Sequence, residues 1–570
     1  MTLKFKDFCK VMEEVDSTSK KNEKVTIFAS FLRKLSESQL PLVCYYATGQ
    51  PFSKTSENKI QFGWSSFMNV IYQLTSRTPD DLSGFYGIKA DFGSLIEYAL
   101  LERTPQPKSL DSYFGQRETK ELTIEGVNKH LVKIASLKGK GSQKAKQSQL
   151  SQSLRNASPL EAKYIARIIT SDTRTGFRGG LLLDAIAEAF NRSNKDVRYA
   201  YMVLSDIGEV AQVAKDHSVD LHLLKPRIFH PLRSMLASKA ESIDEVLDNY
   251  KRLVCEPKID GFRAQLHVGK NRSKLYSRNL EDVTHAFPEI IDSISSDLRK
   301  QLTPSILDGE VVALVDGKPV FFQDLSTRIQ RKRDIDISVK SIPCYYYIFD
   351  ILLHQGKSLL NTQLMKRKEI LYSSIPDRKN IIKMEHKILG NKVDIQNQLQ
   401  EAILNGSEGL MLKDPVSEYQ AGKRGKGWLK LKVTLPTLDL VIVGAEWGHG
   451  RRTGWLSNYH LAARDNNEFC VIGKTFKGLK DEEFIQLTER LQELELSQEP
   501  YGISVQPEIV VEVEFDNIQE SSKYSSGMAL RFARIKRIRN DKEIEDVDNI
   551  ETVRQLYQEQ LKRQKRADKA

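Results

Sequence analysis

The amino-acid sequence predicts a multidomain α+β protein built from an all-helical domain, a mixed α/β domain and a small β-barrel. Three observations support this prediction. The 570 residues exceed what a single hydrophobic core usually organises. Apolar residues recur three and four apart up to about residue 215, and strand-like segments follow, first alternating with helices and then largely without them. We place the three domains at residues 1–220, 221–436 and 437–570.

The first domain is predicted to be helical from its apolar periodicity, which is clear in DFGSLIEYALLER and in NKDVRYAYMVLSDIGEVAQVAKDH. The segment SPLEAKYIARIIT has the sharpest start. Ser158 can cap the helix, Pro159 suits its first position, and Glu161 completes a capping box. The predicted buried face of this helix comprises Leu160, Tyr164, Ile165, Ile168 and Ile169.

A basic stretch interrupts this periodicity between about residues 138 and 153. Its sequence, LKGKGSQKAKQSQLSQ, concentrates Lys, Gly, Ser and Gln and lacks an apolar period. We expect a mobile loop here, either a solvated connection or a loop that contacts phosphate groups. A proline-containing stretch, residues 223–238, is predicted to link the first domain to the second.

The second domain is predicted to alternate strands with helices. The expected strands are FRAQLHV, SILDGEVVALV, CYYYIFDILL, EGLMLK and WLKLKV, and DIQNQLQEAILN is the expected helix. After Pro436, the segments LDLVIVGAEWG, YHLAARD, EFCVIGK and EIVVEVEF are short and separated by turn residues, with one helix at DEEFIQLTERLQEL. This pattern favours a five-stranded barrel of the oligonucleotide-binding (OB) type.

Composition narrows the functional classes. A formal charge of +11 and a pI near 9.1 favour a polyanionic partner such as nucleic acid, although charge alone is weak support. The five cysteines are far apart, so they indicate neither a zinc site nor a disulfide framework. The N-terminus lacks the apolar region of a signal peptide, and no run is long enough to cross a bilayer. We therefore expect an intracellular protein without a membrane anchor.

The segment CEPKIDGFRAQLH places Lys258, Asp260 and Arg263 within six positions of a predicted strand. A lysine in a partly desolvated site beside other cations loses proton affinity and becomes a nucleophile. The commoner alternative for a single lysine is an exposed position on an edge strand. The residues that follow along the chain favour the nucleophile.

The segment KIDGFR matches the KxDGxR signature through Lys258, Asp260, Gly261 and Arg263. In this signature the chain resembles the covalent nucleotidyltransferases, which include ATP-dependent DNA ligases, RNA ligases and mRNA capping enzymes. Further motifs of that superfamily follow in order. They are YSRN with Arg278, LDGE with Asp308 and Glu310, YIFD with Phe349, EGLMLK with Glu408 and Lys413, WLKLK with Lys430 and Lys432, and LRFARIKRIRNDK. A chance match is improbable because the motifs keep their order over nearly 300 residues.

The resemblance implies a role for each motif residue. Lys258 is the expected nucleophile, and Phe349 is expected to stack on the adenine although its apolar surroundings alone would favour a core position. The expected nucleotide-binding residues are Glu256, Arg263, Arg278, Glu310, Phe349, Lys413, Arg424, Lys430 and Lys432. The residues expected to orient pyrophosphate are Arg531, Arg534, Arg537, Asp541 and Lys542, with Arg539 among them in the same basic strand.

The chemistry of nucleotidyl transfer explains these residue types. Charge spread over phosphate oxygens must be neutralised, which accounts for cations near the nucleophile. Mg²⁺ prefers carboxylate ligands, so we expect Glu310, Glu408 and Asp260 to hold the metal. The expected cofactors are ATP and Mg²⁺, with Mn²⁺ as an alternative.

The first domain resembles the DNA-binding domain of archaeal and eukaryotic replicative DNA ligases, on ASPLEAKYIARIIT and on SMLAS at the entry to the second domain. The resemblance implies DNA contacts at Arg174 and Gly176. In QPKSLDSYFGQ, Leu110, Tyr113 and Phe114 resemble a peptide that binds the sliding clamp, although Pro107 fills the usual glutamine position. The alternative is that residues 107–114 pack these aromatic rings against their own domain.

The resemblance implies a monomer that seals nicks in duplex DNA through lysyl-AMP and DNA-adenylate intermediates, in DNA replication, repair and recombination. Its expected location is the cytoplasm of an archaeon or, in a eukaryote, the nucleus. The rival enzymes are a capping guanylyltransferase and an RNA ligase, which share the lysine chemistry but lack the long helical domain. An NAD-dependent ligase is disfavoured by the absence of a four-cysteine zinc site, and a catalytically inactive scaffold by the complete motif set.

Overall fold

The computed structural model describes all residues except 1, 61, 76, 79–81, 83–90, 102–120, 316–317, 320–324, 326–327, 330–334, 377, 379, 421–423, 433–436, 449–451, 453, 467, 500 and 567–570. Helices dominate the first part of the chain, strands and helices mix in the middle, and strands dominate the last part. The predicted α+β fold class is therefore confirmed. In the described part of the chain, no helix combines the length and apolar character needed to cross a membrane.

The first domain consists of helices packed around one extended hydrophobic core, in which Phe8 meets Tyr46 and Tyr164 edge to face. Between the last helix of this domain and the first strand of the next, the chain forms a 3₁₀ turn at Leu221–Leu223. The helices are α1 (Phe5–Asp16), α2 (Lys21–Leu32), α3 (Leu40–Ala47), α4 (Trp64–Leu74), α5 (Phe92–Leu101), α6 (Ile124–Ser136), α7 (Ser142–Arg155), α8 (Pro159–Ile169), α9 (Gly179–Ala189), α10 (Asn194–Leu204) and α11 (Ile207–Lys215).

Helix α8 begins as the sequence predicts. The Ser158 side chain accepts a hydrogen bond from the Glu161 N–H, and the Glu161 carboxylate accepts one from the Ser158 N–H at 2.8 Å. Such reciprocal bonds satisfy donors that the first turn of a helix leaves open. Four of the five predicted face residues are buried, and Leu160 packs against the core at its edge.

The prediction of a mobile loop at residues 138–153 is wrong, because most of this stretch forms α7. Leu150 and Leu154 are buried, and polar side chains such as Lys146 and Gln149 are buried with them against neighbouring helices. A Gln149 amide contacts His130 of α6 at 2.8 Å. Tertiary contacts therefore stabilise a helix whose own sequence carries little apolar periodicity.

The middle domain contains two facing sheets, and the predicted strands and helix are confirmed within one or two residues except that β12 begins four residues earlier. The strands are β1 (Leu236–Lys239), β2 (Leu253–Pro257), β3 (Phe262–Val268), β4 (Ser273–Ser277), β5 (Ser305–Val315), β6 (Lys318–Pro319), β7 (Cys344–His354), β8 (Lys357–Ser358), β9 (Ile381–Lys383), β10 (Lys387–Leu389), β11 (Gly409–Lys413) and β12 (Arg424–Lys432). The helices are α12 (Ile243–Asn249), α13 (Pro288–Asp292), α14 (Ser296–Leu302), α15 (Ile335–Ser341), α16 (Leu364–Ser374) and α17 (Lys392–Leu404), with a 3₁₀ turn at Thr284–Ala286.

The first sheet has the order β1-β12-β11-β2-β10, and the second follows β4-β3-β5-β7-β8 with β6 and β9 attached at its sides. Phe349 of β7 and Trp428 of β12 meet between the sheets in one core cluster with Tyr419. The link between the sheets runs from β2 into β3, which places residues 258–261 where the two sheets converge.

The last domain contains more strand segments than the five predicted. They are β13 (Leu438–Trp447), β14 (Leu456–Asp465), β15 (Glu468–Thr475), β16 (Glu495–Glu499), β17 (Gly502–Val505), β18 (Val510–Glu514), β19 (Asn517–Glu520), β20 (Met528–Arg531) and β21 (Arg534–Ile538), with helices α18 (Asp481–Glu493) and α19 (Ile550–Arg566) and a 3₁₀ turn at Ile544–Asp546. Strand β13 pairs with β18 along its first half and with β17 along its second. Strand β13 therefore pairs with β14 and with two shorter strands, β17 and β18.

Contacts join the three domains. Lys59 of the first domain lies 3.6 Å from Glu281 of the middle domain. Lys432 at the end of the middle domain lies 3.1 Å from Asp516 of the last domain. The last domain therefore faces the region where the two middle sheets converge.

Candidate active site

Lys258 follows β2 at the point where the two sheets of the middle domain converge. Its N–H donates to the Gly409 carbonyl at 2.8 Å, and its carbonyl accepts from the Glu408 N–H at 2.8 Å. These two bonds extend the antiparallel ladder between β2 and β11. The backbone of the predicted nucleophile is therefore fixed, while its side chain stays 22% exposed.

The Lys258 ammonium contacts the Glu408 carboxylate, and Lys432 lies 3.1 Å from the same carboxylate. We call Lys258, Glu408 and Lys432 the open cluster, because each side chain is between 22% and 26% exposed. Burial alone would raise the pKa of Glu408, but the two lysines outweigh it and lower that pKa. The open cluster therefore contains an ionised carboxylate between two cations at the predicted site of chemistry.

A second group of the same composition lies beneath the first. Glu256 contacts Lys368 of α16 and lies 2.5 Å from Lys413 of β11, and all three side chains are at most 2% exposed. We call Glu256, Lys368 and Lys413 the buried cluster. Burial works against the charge on Glu256, yet the two lysines hold its pKa below the usual range. Burial also lowers the pKa of Lys413, and Glu256 opposes that effect.

Phe349 borders the buried cluster. Its ring is 8% exposed and meets Trp428 edge to face with centroids 5.9 Å apart. The Lys413 ammonium lies 4.5 Å from the Phe349 centroid and 4.2 Å from the Trp428 centroid, within the range of cation–π attraction. Phe349, the residue predicted to stack on the adenine, thus forms a wall beside the buried cluster, between the two sheets of the middle domain.

Arg263 is held by the protein. Its Nε and Nη2 atoms donate to the two oxygens of Asp308 at 3.1 and 2.7 Å, and Nη1 donates to the Met235 carbonyl at 2.7 Å. Burial lowers the pKa of Arg263, but Asp308, which is fully buried, outweighs that effect and raises it. Arg263 lies 5.2 Å from the Phe349 ring, so its position supports the pocket wall.

Gly261 precedes β3 where the backbone passes close to β5. A Cβ there would lie 2.6 Å from the Val311 carbonyl oxygen and 2.7 Å from Cγ of Glu310. Those distances are shorter than side-chain carbons tolerate, and one of the two obstacles is backbone that cannot move aside. The glycine of the KxDGxR motif is therefore required by close approach to Glu310.

The three carboxylates predicted to hold Mg²⁺ lie around Lys258 but face different partners. Burial raises the pKa of Asp260, and the Glu408 charge raises it further. Burial raises the pKa of Glu310 to about 8, against the opposing effect of Lys258 and Arg263. Within the described ranges, no three acidic, histidine or cysteine side chains are arranged as a metal site. Crowded carboxylates whose charged forms are disfavoured are nevertheless suited to a divalent cation.

The basic C-terminal motif divides into two groups. Arg534 lies 3.2 Å from Asp516, which also contacts Lys432, and the Arg531 charge lowers the pKa of Asp260. These two arginines therefore face the open cluster. Asp516 belongs to the last domain but links Arg534 to Lys432 of the open cluster. Among the described residues, the carboxylates that pair with the rest of the motif make no such link: Arg537 pairs with Glu512 at 2.6 Å, Arg539 with Asp439 and Asp541 at 2.9 and 2.8 Å, and Lys542 with Asp439 at 2.8 Å.

The other predicted site residues lie on a turn, in β12, in the first domain or outside the described part. Arg278 is exposed on the turn after β4, and Lys430 pairs in β12 with Met411. Arg174 and Gly176 share a turn in which both have positive φ, 58° and 65°, and Arg174 Nε lies 2.5 Å from Asp172. The side chain of Arg424 and the predicted clamp peptide, residues 107–114, lie outside the described residues.

Two residues of the site have no counterpart in the sequence prediction. Lys368 stands among other basic residues in LMKRKEILYSS, and such a run is typical of the solvated face of a helix. Asp516 follows a strand of the last domain and meets Lys432, a residue 84 positions earlier, only through the fold. In the sequence, the only signal for a buried Lys368 was its spacing. It stands four residues after the apolar Leu364, and residues four apart lie on the same face of a helix.

Comparisons with known proteins point to one family. Three family models match in order: DNA ligase N terminus over residues 4–187, ATP dependent DNA ligase domain over residues 234–432, and ATP dependent DNA ligase C terminal region over residues 452–542. A DNA ligase from Archaeoglobus fulgidus is 36% identical over 567 residues, covering 98% of this chain and 99% of the relative. A DNA ligase from Methanothrix thermoacetophila is 37% identical over 565 residues, covering 99% and 100%.

A solved structure named Pmar-Lig_PreS3 has the same fold, with a TM-score of 0.57 over 93% of this chain and 99% of that one, at 18% identity. The curated relatives match from end to end at more than a third identity, and the three family models follow one another in the order of the three domains. The chain therefore belongs to the ATP-dependent DNA ligase family.

Proposed function

We propose that this ligase seals nicks with Lys258 as its nucleophile. The Lys258 amine attacks the α-phosphate of ATP, a P–N bond forms, the bond to the β-phosphate breaks, and pyrophosphate leaves. The 5′-phosphate of a nick then attacks the lysyl-AMP and takes over the AMP group. Finally the 3′-hydroxyl attacks that activated 5′-phosphate, the phosphodiester forms, and AMP departs.

The observation that carries this proposal is the position of Lys258 in the open cluster. Its backbone is pinned on both sides, and its ammonium contacts a carboxylate that is also 3.1 Å from Lys432. An amine attacks only after it loses a proton, and Glu408 is the base within contact distance. Lys432 is placed to donate hydrogen bonds to a phosphate oxygen in place of Glu408 when ATP enters.

We assign the base to the wall formed by Phe349 and the buried cluster. Phe349 offers an aromatic face, and Glu256 is an ionised acceptor two residues from the nucleophile. An ionised carboxylate accepts hydrogen bonds but cannot donate them, so it favours the amino group of adenine over the carbonyl of guanine. Arg263 acts as a positioning residue because Asp308 and Met235 hold its guanidinium.

We assign the departing pyrophosphate to Arg531 and Arg534, since these arginines of the last domain face the open cluster. Arg537, Arg539, Asp541 and Lys542 instead stabilise the last domain through their own ion pairs. This assignment narrows the predicted pyrophosphate group from the whole motif to its first two arginines.

Asp260, Glu310 and Glu408 fit Mg²⁺, because they are oxygen ligands around Lys258 and because burial disfavours the charges of Asp260 and Glu310, which a cation would stabilise. Bound there, the ion would neutralise charge on the phosphate oxygens of ATP. Mn²⁺ has the same ligand preference and is an alternative.

We propose that the domains are residues 1–220, 221–436 and 437–570 and that a monomer surrounds nicked DNA through phosphate contacts from each. The turn containing Arg174 and Gly176 is the proposed DNA contact in the first domain, supported by its strained backbone. Leu110, Tyr113 and Phe114 remain the proposed clamp peptide. Loss of clamp capture in a Tyr113→Ala, Phe114→Ala variant would support that assignment, and unchanged capture would contradict it.

Incubation with ATP or GTP labelled at the α-phosphate, followed by denaturation, tests the reaction. Label retained from ATP but not from GTP, lost in Lys258→Ala and kept in the exposed control Lys387→Ala, is the expected result. Label from GTP alone would indicate a capping-type enzyme. A nicked duplex in the same mixture should be sealed in the presence of Mg²⁺, and failure to seal it would contradict the proposed function.

A further inference from the structure

Arg233 lies in the segment that joins the first domain to β1. Its N–H donates to the carbonyl of Met202 in α10 at 3.1 Å, which fixes the segment against the first domain. The guanidinium carbon lies 3.9 Å from the centroid of the Tyr201 ring. This stacking stabilises the charge from one face and leaves the edges of the guanidinium for other partners.

One edge of this guanidinium has no partner. Nε and Nη2 of Arg233 are buried and have no hydrogen-bond acceptor in the part of the chain that the structure describes. These two nitrogens form the fork with which arginine binds two oxygens of a carboxylate or phosphate at once. Leaving such donors buried and unsatisfied is costly, so an empty fork calls for an explanation.

Other arginines of this chain show what normally fills that fork. Nε and Nη2 of Arg263 bind the two oxygens of Asp308, and the same atoms of Arg367 bind Asp350 at 2.8 and 2.9 Å. The charge on Arg263 is stabilised by its carboxylate, which raises its pKa. Burial instead lowers the pKa of Arg233, because the Tyr201 side chain opposes it only in part and no carboxylate does so. Arg233 thus has the geometry of these arginines without their anion.

A second cation, Lys54, lies in the loop before α4 within the electrostatic range of Arg233. Partial burial lowers the pKa of Lys54, and the charge of Arg233 lowers it further. Across the described part of the chain, neither side chain forms an ion pair with a carboxylate. Two neighbouring cations that repel each other and lack an acid between them form an incomplete anion site.

We propose that Arg233 and Lys54 bind one phosphate group at the junction of the first and middle domains. The Arg233 fork would hold two of its oxygens and the Lys54 ammonium a third. Two sources share this chemistry: a phosphodiester of the nicked duplex and free inorganic phosphate. The duplex is the favoured source, and this choice rests on the proposed function, whereas phosphate binding itself does not.

The location suggests what the site does. Met235, two residues after Arg233, accepts the Nη1–H bond of Arg263 beside the Phe349 wall. A phosphate held by Arg233 and by Lys54 of the first domain would fix this segment between the DNA-binding domain and the nucleotide pocket. Engagement of DNA would thereby orient the two domains for sealing.

Phosphate binding is tested by thermal unfolding in inorganic phosphate against chloride of equal ionic strength. We expect phosphate to raise the Tm of the unaltered protein and to raise it less in Arg233→Lys, which keeps the charge but loses the fork, and in Lys54→Gln. Lys10→Gln, an exposed lysine of α1, is the matched control and should respond like the unaltered protein. Lys54→Gln keeps the test valid if the Arg233 variant fails to fold.

The source is tested by binding of nicked duplex in a Lys258→Ala background, in which no sealing occurs. Loss of one phosphate contact lowers the slope of log Kd against log salt by about 0.9. We expect that decrease for the double variant Lys54→Gln, Arg233→Gln, which removes both cations from the phosphate, and a smaller decrease for Lys54→Gln alone. Arg233→Lys keeps the charge, so it should weaken binding with little change of slope. An unchanged slope with a phosphate response in the first test assigns the site to free phosphate.

The proposal is overturned if the variants match the unaltered protein in both tests. Failure of the proposed function is distinguishable, because it would appear as absent lysyl-AMP in the unaltered protein whatever these binding results. Lys54→Gln should retain lysyl-AMP formation from ATP, since Lys54 lies outside the nucleotide pocket.

Discussion

Two clusters of the same composition, each a glutamate between two lysines, lie next to each other in the middle domain and differ in burial. Glu408 of the open cluster is 26% exposed, whereas Glu256 of the buried cluster is 2% exposed. Glu256 and Lys258 are only two residues apart, so one strand supplies a member of each cluster.

This difference in burial determines which charges can exchange partners. A partly exposed ion pair is weak and can be broken by water or by an incoming phosphate. A buried pair cannot lose a partner without leaving an unpaired charge in the interior. The open cluster is therefore suited to chemistry, in which Lys258 must be released, and the buried cluster to holding a fixed acceptor beside the base.

The largest expected difference between the two clusters is in their contribution to the free energy of unfolding. Glu256→Ala leaves two buried ammonium groups without a carboxylate, so we expect the free energy of unfolding to fall by about 3–5 kcal/mol. Glu408→Ala, in the open cluster, should change it by about 1 kcal/mol or less. Urea unfolding of both variants measures the difference, and equal losses would show that the two clusters do not differ in this way.

The next effect concerns the contact between the open cluster and the last domain. Arg534→Ala should slow lysyl-AMP formation by about 10²-fold, because Arg534 faces the open cluster and stabilises the departing pyrophosphate. Arg537→Ala is the matched control, since Arg537 pairs with Glu512 within its own domain. Single-turnover labelling compares them, and a larger loss in Arg537→Ala would reverse the assignment.

The smallest effect is a shift in pH dependence. The pKa of Glu256 is lowered in the folded protein, so its ionised form contributes stability above the unfolded pKa, and that contribution is lost as pH falls from the unfolded pKa through the folded one. Lys368→Met removes one of the lysines that lower this pKa, so the folded pKa moves closer to the unfolded value and less stability is left to lose. We expect the variant to lose about 1 kcal/mol less than the unaltered protein between about pH 5 and pH 3.

Urea midpoints across that range provide the measurement. Lys387→Met is the control, because Lys387 is exposed and pairs with Glu401 on the surface. Parallel pH profiles for Lys368→Met and the unaltered protein would contradict a role of Lys368 in holding Glu256 ionised.

Much of the open cluster could be predicted from the sequence. Lys258, Glu408 and Lys432 each stand at a fixed place in a local motif, and the strands that carry them alternate apolar and polar residues clearly. Local pattern and tertiary position agree there, which is why the predicted strand bounds hold within a few residues.

The buried cluster could be predicted only in part. Lys368 reaches Glu256 because α16 packs against β7, a contact that no local pattern encodes. Helix α7 was missed for the same reason, since its polar side chains are buried by neighbouring helices. The fork of Arg263 is occupied by Asp308, 45 positions away, so the sequence could not show that this arginine is held by the protein.

The most direct test of the central claim is to locate the AMP. The protein is incubated with ATP and Mg²⁺, denatured, digested and analysed by mass spectrometry for peptides that carry one AMP. We predict the adduct on Lys258, in the peptide around CEPKIDGFR, and none on Lys368 or Lys413 of the buried cluster. AMP on another lysine, or no adduct in a preparation that seals nicks, would contradict the assignment of Lys258 as the nucleophile.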